Sequence, residues 1–266
     1  MNINDILALG QAHISEGAEL VIDDSWSQGR TVYGGLSTAL LFQAIKERVS
    51  DEYQVKNINV NFVGPLFTKE ICKIEVQVLR VGKNVAQYIA YLLQNDKMCV
   101  VCQACFTRDR LSKVSIDKRP KLNFTREKKA NFFPPIPKVV PKFLKHFDLA
   151  IQEGGIPFTG RKTDHYLGWM RYKNLNTSLG EAAFIGLLDS YPPTLIQLLK
   201  WPAPASTINW NVEFFHPLPQ GSAEGWFAYH DKTIHAEAGY GATEATIWAE
   251  DGRCLAISRQ TVGVFD

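Results

Sequence analysis

The carboxylate of Asp189 is the group in this chain that most needs a reason to be where it is. It follows Phe184, Ile185, Leu187 and Leu188 on a segment expected to be buried. An ionised carboxylate there costs several kcal/mol unless partners satisfy it. Partial desolvation raises its proton affinity towards neutrality, which suits a general base that takes a proton from water. Thr207 and Gln260 supply a hydroxyl and an amide that would help hold such a water. The competing reading is a helix-terminal residue close to Pro192, solvated or capping. On residue types alone both readings stand.

Other chemistries are poorly supported. Gly35-Leu36-Ser37-Thr38-Ala39 lacks the glycine after the serine, and the preceding parallel strand, that a nucleophile elbow requires. Cys99, Cys102 and Cys105 imitate a metal ladder, but strand alternation sends Cys102 to the face opposite the other two. His230 and His235 are read as flanking a turn, with no acidic or cysteine ligand at metal spacing. Five cysteines, an odd number, argue against a disulfide framework. No metal and no redox cofactor is expected.

The elements that must position Asp189, Thr207 and Gln260 follow from apolar periodicity. Residues Gly35 to Val49 are apolar around most of a helix, so that helix is buried on most sides. Glu181 to about Ser190 forms a second, stopped by Pro192 and Pro193, with another turn or two from Thr194 to Lys200. Strands are predicted at 19–23, 57–62, 71–81, 85–94, 98–107, 165–172, 209–214, 225–230, 235–249 and 254–265, with turns at Gly82-Lys83-Asn84, Gln94-Asn95-Asp96 and Asp251-Gly252. A buried helix followed by hairpin-linked strands predicts an α+β fold, an antiparallel sheet wrapped round a long apolar helix.

That unit occurs twice. Asn57-Ile58-Asn59-Val60-Asn61-Phe62-Val63-Gly64-Pro65-Leu66 returns as Asn209-Trp210-Asn211-Val212-Glu213-Phe214-Phe215-His216-Pro217-Leu218. Asp96-Lys97-Met98-Cys99-Val100-Val101 returns, less closely, as Asp251-Gly252-Arg253-Cys254-Leu255-Ala256. Laid on each other, the copies put Thr207 opposite Val55 and Gln260 opposite Cys105, so only the second is equipped for chemistry. Side by side, the two sheets would protect each other's edges.

The 266 residues, 45% apolar and 21% charged, suit a soluble globular chain of two units. A repeat at 1–110, a basic, proline-containing linker at 111–160 and a repeat at 161–266 are expected. From Arg108 to Lys145 there are twelve Lys or Arg against three Asp or Glu, in a chain whose net charge is only +2. This stretch is read as a solvated linker with limited regular structure, or as a landing strip for a polyphosphate ligand. No recognition motif for nucleic acid accompanies it, and neither a membrane span nor a signal peptide is apparent, so the expected location is cytoplasmic.

With those motifs in order, the chain resembles the double hot-dog acyl-CoA thioesterases of the bacterial type II kind. The resemblance rests on Leu187-Leu188-Asp189-Ser190, then Ser206-Thr207-Ile208 running into Phe214-Phe215-His216-Pro217, then Ala256-Ile257-Ser258-Arg259-Gln260. In the first repeat it rests on Val32-Tyr33-Gly34-Gly35 and Phe62-Val63-Gly64-Pro65, and it spans nearly everything except residues 110–160. It implies two fused hot-dog units, acyl-CoA as substrate, and a catalytic Asp189, Thr207 and Gln260 that direct water at the thioester. Asn209-Trp210-Asn211 departs from the more usual acidic and His-containing segment.

Thioester hydrolysis also needs a place for the developing oxyanion. The backbone amides of Gly34-Gly35, opening the first helix, would supply it, unless those glycines merely allow a tight turn. On this view Gly35→Val lowers turnover far more than stability. Trp210 is a candidate wall for the acyl chain. A hot-dog hydratase or dehydratase, or a non-catalytic acyl-CoA-binding protein, are the alternatives, and assembly as a homodimer or higher homo-oligomer is open.

Overall fold

The computed structural model describes residues 1–127, 131–132, 140–173, 175, 178–219 and 225–265. Three α-helices lie among them. Helix α1 (Ile3–Glu16) has a capping box between Asn2 and Asp5 and is closed by Gly17 at φ 71°; the sequence reading did not include it. Helix α2 (Gly34–Lys46) is buried on almost every side, and α3 (Glu181–Leu188) ends at Asp189, whose φ and ψ of −95° and 10° leave the helical region. Pro192 and Pro193 follow, and Thr194–Gln197 resumes as a single 3-10 turn.

Chain order gives β1 (Leu20–Val21), β2 (Ser27–Gln28), β3 (Thr31–Val32), β4 (Gln54–Phe62), β5 (Ile71–Val81), β6 (Val85–Gln94) and β7 (Lys97–Thr107). It continues with β8 (Asn131–Phe132), β9 (Phe147–Glu153), β10 (His165–Tyr172), β11 (Ala205–Phe214), β12 (Phe227–Glu237), β13 (Tyr240–Ala249) and β14 (Cys254–Val264). All but β2 and β3 join one 12-stranded sheet in the order β1-β5-β6-β7-β4-β11-β14-β13-β12-β10-β9-β8. Every neighbouring pair in it is antiparallel.

The echoed strands β4 and β11 meet at the centre of this sheet. Asn57 pairs with Glu213, Asn59 with Asn211 and Asn61 with Asn209. Under the sequence echo Asn57 maps onto Asn209 and Asn61 onto Glu213, so this register is the one an internal twofold axis would impose. Asn211 Nδ2 donates to Asn59 Oδ1 at 2.8 Å and Asn209 Nδ2 to Asn61 Oδ1 at 3.1 Å, locking the register from the outer face.

Helices α2 and α3 run antiparallel on the inner face. Glycine is required where they touch: a Cβ on Gly35 would fall 2.5 Å from the Gly186 carbonyl oxygen, and one on Gly186 would fall 2.8 Å from Tyr172 Oη. Tyr33, just before α2, donates its hydroxyl to that same Gly186 carbonyl at 2.7 Å. At the other end of the helix pair Lys46 faces Glu181 at 3.5 Å.

Three expectations are corrected. The hairpin placed near Asp231-Lys232 is instead at Ala238-Gly239, both at positive φ (52° and 82°), so Asp231, His230 and His235 all lie within β12. Asp-Lys imitates a turn in sequence, whereas Ala238 gives no turn signal. Second, the 111–160 segment is partly regular, because β9 pairs with β10 along its length. Third, residues 120–126 form a strap over the outer face: the Trp248 indole donates to the Pro120 carbonyl at 2.8 Å, and Phe124 packs edge-on against Trp169 and Trp248. Two apolar side chains, Leu122 and Phe124, are enough to seat a strap that charge and proline made look solvated. Its Pro134, Pro135 and Pro137 lie outside the described residues.

Candidate active site

Asp189, Thr207 and Gln260 come from α3, β11 and β14, and the fold brings them together. Gln260 Nε2 donates to Asp189 Oδ1 at 2.8 Å, and the Thr207 hydroxyl donates to Gln260 Oε1 at 2.8 Å. Geometry in β11 makes this possible: a bulge between Thr207 and Asn209 lets Thr207 and Trp210 both turn inward, and Trp210 sits opposite Gln260 in the β14 register. Thr207 commits its one proton to the amide oxygen. The amide nitrogen is thereby left to face the carboxylate.

Asp189 also faces the start of α2. Gly35 donates its backbone N–H to the carboxylate, and a Cβ on Gly34 would lie 3.0 Å from Asp189 Oδ2. Burial pushes the Asp189 carboxyl up to about 7, against the lowering effect of the Gln260 and Gly35 hydrogen bonds. The residue as a whole keeps some solvent contact. A carboxyl raised towards neutrality by burial is suited to take and return a proton near pH 7.

The glycines therefore have two tasks the sequence did not separate. Gly34 admits the carboxylate, and Gly35 admits the backbone of α3 while its amide is engaged by Asp189. The expected contrast for Gly35→Val, large in turnover and small in stability, does not survive this packing. Trp210 is fully buried and donates its indole N–H to Ser258 Oγ at 2.7 Å, so it supports Gln260 from beneath rather than walling an open channel.

At the twofold-related position the chemistry is missing. Val55 is fully buried, and the place of Gln260 is taken by Ala104, also fully buried, rather than by the Cys105 that the sequence echo aligned with it. Ala104 pairs with Ile58 as Gln260 pairs with Trp210, and one residue of slip in the echo puts Cys105 on the other face of its strand. A cleft of about 620 Å³ lies on that side, between the end of α2 and the start of α3, with Lys46, Glu181 and His216 in its wall, and a smaller one of about 350 Å³ is lined by Gln260, Asn209 and Thr243. Size thus points away from Asp189, whereas hydrogen bonding points to it. Cys102 is buried in the core while Cys105 is only half-buried. Among the described residues no three His, Cys, Asp or Glu gather as metal ligands. Among the described helices none is long and apolar enough to cross a membrane.

Of the linker cations, Arg119 pairs with Asp117 at 2.6 Å and Lys142 with Asp24 at 2.6 Å. Arg108 pairs with Glu52, and the Arg126 guanidinium lies 4.9 Å over the Trp226 ring. Four of the twelve basic groups in the stretch are thus engaged locally. Sequence reasoning missed Tyr33, whose phenol feels the Asp189 charge, and Asp231, hidden by the false turn.

Solved structures place this architecture in the hot-dog class. A protein of unknown function with a hot-dog fold from Alicyclobacillus acidocaldarius matches with a TM-score of 0.79 at 18% identity, covering 93% of this chain and 92% of its own. An acyl-CoA thioesterase II from Mycobacterium marinum matches with a TM-score of 0.71 at 16% identity, over 99% of this chain and 98% of its own. A TesB protein of Mycobacterium avium subspecies paratuberculosis gives 0.72 at 14% identity over 100% of both. Comparison with curated protein sequences returns no match. Family models decide the rest: the acyl-CoA thioesterase N-terminal domain matches residues 22–107 and the C-terminal domain matches residues 119–264. The chain belongs to the acyl-CoA thioesterase family and is a thioester hydrolase.

Proposed function

We propose that the protein hydrolyses an acyl-CoA to the free acid and coenzyme A, using Asp189 as the base that activates water. It does so as two fused hot-dog units, of which only the C-terminal one, 161–266, carries the catalytic groups. The ionised carboxylate takes a proton from water as the oxygen attacks the thioester carbonyl carbon. Collapse of the tetrahedral intermediate breaks the C–S bond, and Asp189 returns the proton to the leaving thiolate.

Gln260 Nε2 carries two protons. One is engaged by Asp189 Oδ1 and the other is available to the attacking water. Thr207 keeps the amide in that orientation. Charge developing on the carbonyl oxygen is stabilised by the positive end of α2, where Gly34 and Gly35 lie. The single observation that carries this reading is the chain of hydrogen bonds from Thr207 through Gln260 to a buried carboxylate at a helix N-terminus. No histidine is bonded to Asp189 among the described residues, which weighs against the hydratase alternative.

The test is free thiol release by the purified protein across short, medium, long and aromatic acyl-CoAs, with Asp189→Asn alongside. Thiol release that Asp189→Asn leaves unchanged would remove Asp189 from the mechanism. Binding without release would leave the non-catalytic alternative.

A further inference from the structure

The helix pair has two ends, and the internal twofold makes each the counterpart of the other. At one end Asp189, leaving α3, meets the start of α2; at the other the end of α2 faces the start of α3 across the cleft of about 620 Å³. The second end has lost the hydroxyl and the amide, with Val55 and Ala104 standing where Thr207 and Gln260 stand at the first. It has not become apolar. Under the sequence echo Gln54 takes the place of Ser206 and His216 that of Gly64, and both line the cleft with Lys46 and Glu181.

The hydrogen bonding of this wall is incomplete. Six buried side-chain polar atoms have no hydrogen-bond partner among the described residues, and two of them, Gln54 Oε1 and Glu181 Oε2, belong to residues that line this one cleft. A third, Arg108 Nε, belongs to the guanidinium that lies 4.4 Å over the ring of Tyr53, another residue of the wall. Lys46 Nζ stands 3.5 Å from Glu181 Oε2, an ion pair but not a hydrogen bond. Buried polar atoms are normally paired, so three orphans around one cavity mark a place where a ligand supplies the partners. The Gln54 and Glu181 oxygens are held against the wall, and rotation about χ3, a broad torsion in both residues, turns either into the cleft.

We propose that this cleft binds the pantetheine arm of coenzyme A without hydrolysing a thioester, so that one chain holds coenzyme A at both ends of its helix pair, with chemistry at one end and recognition alone at the other. This rests on the reading of the catalytic end as an acyl-CoA site, because the twofold is what carries the outline of that site to the other end. The side chains select the arm. A secondary amide donates to Glu181 and exchanges two hydrogen bonds with the Gln54 amide, and its carbonyl accepts from Lys46. The methylenes and methyls between the amides suit Phe42, Leu179 and Leu218 in the same wall. A phosphate is disfavoured by Glu181 and Asp51, and a plain hydrocarbon leaves the polar atoms unpaired. Coenzyme A released by hydrolysis is thus a ligand at both ends.

The experiment is calorimetric titration of coenzyme A, pantetheine and adenosine 3′,5′-bisphosphate into native protein, Gln54→Leu and Glu181→Gln, with thiol release from acyl-CoA measured on the same preparations. Native protein is expected to bind two coenzyme A per chain, with pantetheine competing at the second site and the bisphosphate not. Gln54→Leu, of similar volume, should weaken that site about tenfold or more and leave thiol release within about twofold of native. Glu181→Gln keeps the shape and a hydrogen-bonding group and should weaken it less, so the reading stays testable if the leucine variant does not fold. Thiol release intact, with no coenzyme A site that either substitution weakens, would overturn this inference and leave the hydrolytic reading in place. A second site that the bisphosphate alone fills would do the same, whereas absence of both binding and thiol release would overturn both.

Discussion

Replacing Asp189 with asparagine should separate what the carboxylate does for catalysis from what it costs the fold. Its carboxyl is raised from 3.8 to about 7, chiefly by burial. A rise of that size corresponds to about 4 kcal/mol of native-state destabilisation once the group is ionised. Between about pH 4 and pH 7 the native protein holds this proton and the unfolded chain does not. Stability therefore falls as pH rises through that window, and the penalty is absent below it. Asparagine keeps Oδ1 for Gln260 but turns an amide nitrogen towards the Gly35 N–H, forfeiting about 1 kcal/mol. The variant should be more stable than native by about 3 kcal/mol above pH 7, or on the order of 6 to 10 °C in Tm. Below about pH 4, where that penalty is absent, the variant should instead be less stable than native by the roughly 1 kcal/mol lost at Gly35. Asp231 titrates in the same direction in both proteins and largely cancels from the comparison. Thermal unfolding from pH 4 to 8, with thiol release at the same pH values, tests both halves. Native activity should rise with pH through about 7, while Asp189→Asn loses about 10²–10⁴-fold in kcat. Parallel Tm curves would mean the carboxylate is not desolvated, and retained turnover would mean it is not the base.

Thr207→Val removes the hydroxyl that orients Gln260; kcat should fall about tenfold while Tm moves by less than the shift of a buried cavity mutant, and steady-state kinetics with a melting curve check it. Gly35→Ala forces a Cβ against the Gly186 carbonyl and should destabilise the protein by about 1–3 kcal/mol, seen as a lower urea midpoint. If Gly35→Ala melts like native and loses only activity, the helix contact is looser than described. Phe124→Ala strips the strap from Trp169 and Trp248 and, because Phe124 is only half-buried, should cost about 1–2 kcal/mol without altering KM, read from unfolding and kinetics together.

Much of this arrangement is visible in the residues, and the parts that are not share a cause. Strands 71–81, 85–94 and 165–172 are found where alternation and turn chemistry put them, because local pattern and tertiary burial agree there. Asp189, Thr207 and Gln260 could be nominated because two copies of one unit diverge at the latter two positions, and because a carboxylate after four apolar residues is costly without a purpose. Local signals misled where a long-range contact outweighed them. Phe124 binds a tryptophan patch assembled from β10 and β13, so the basic strap carries no periodicity of its own. Gly35 is fixed by a carbonyl on another helix 151 residues away, a distance over which no spacing rule operates. Asp231 was lost to a false turn, although continuing the alternation of Phe227 and Tyr229 by one step would have placed it inside. A buried acid concealed in this way leaves the same trace as Asp189: both interrupt an apolar face at a point where the cost of burial must be met by a partner. For Asp189 that partner set is Gln260 and the start of α2; for Asp231 it is the hydroxyls of Tyr229 and Thr243 and the Lys232 amide.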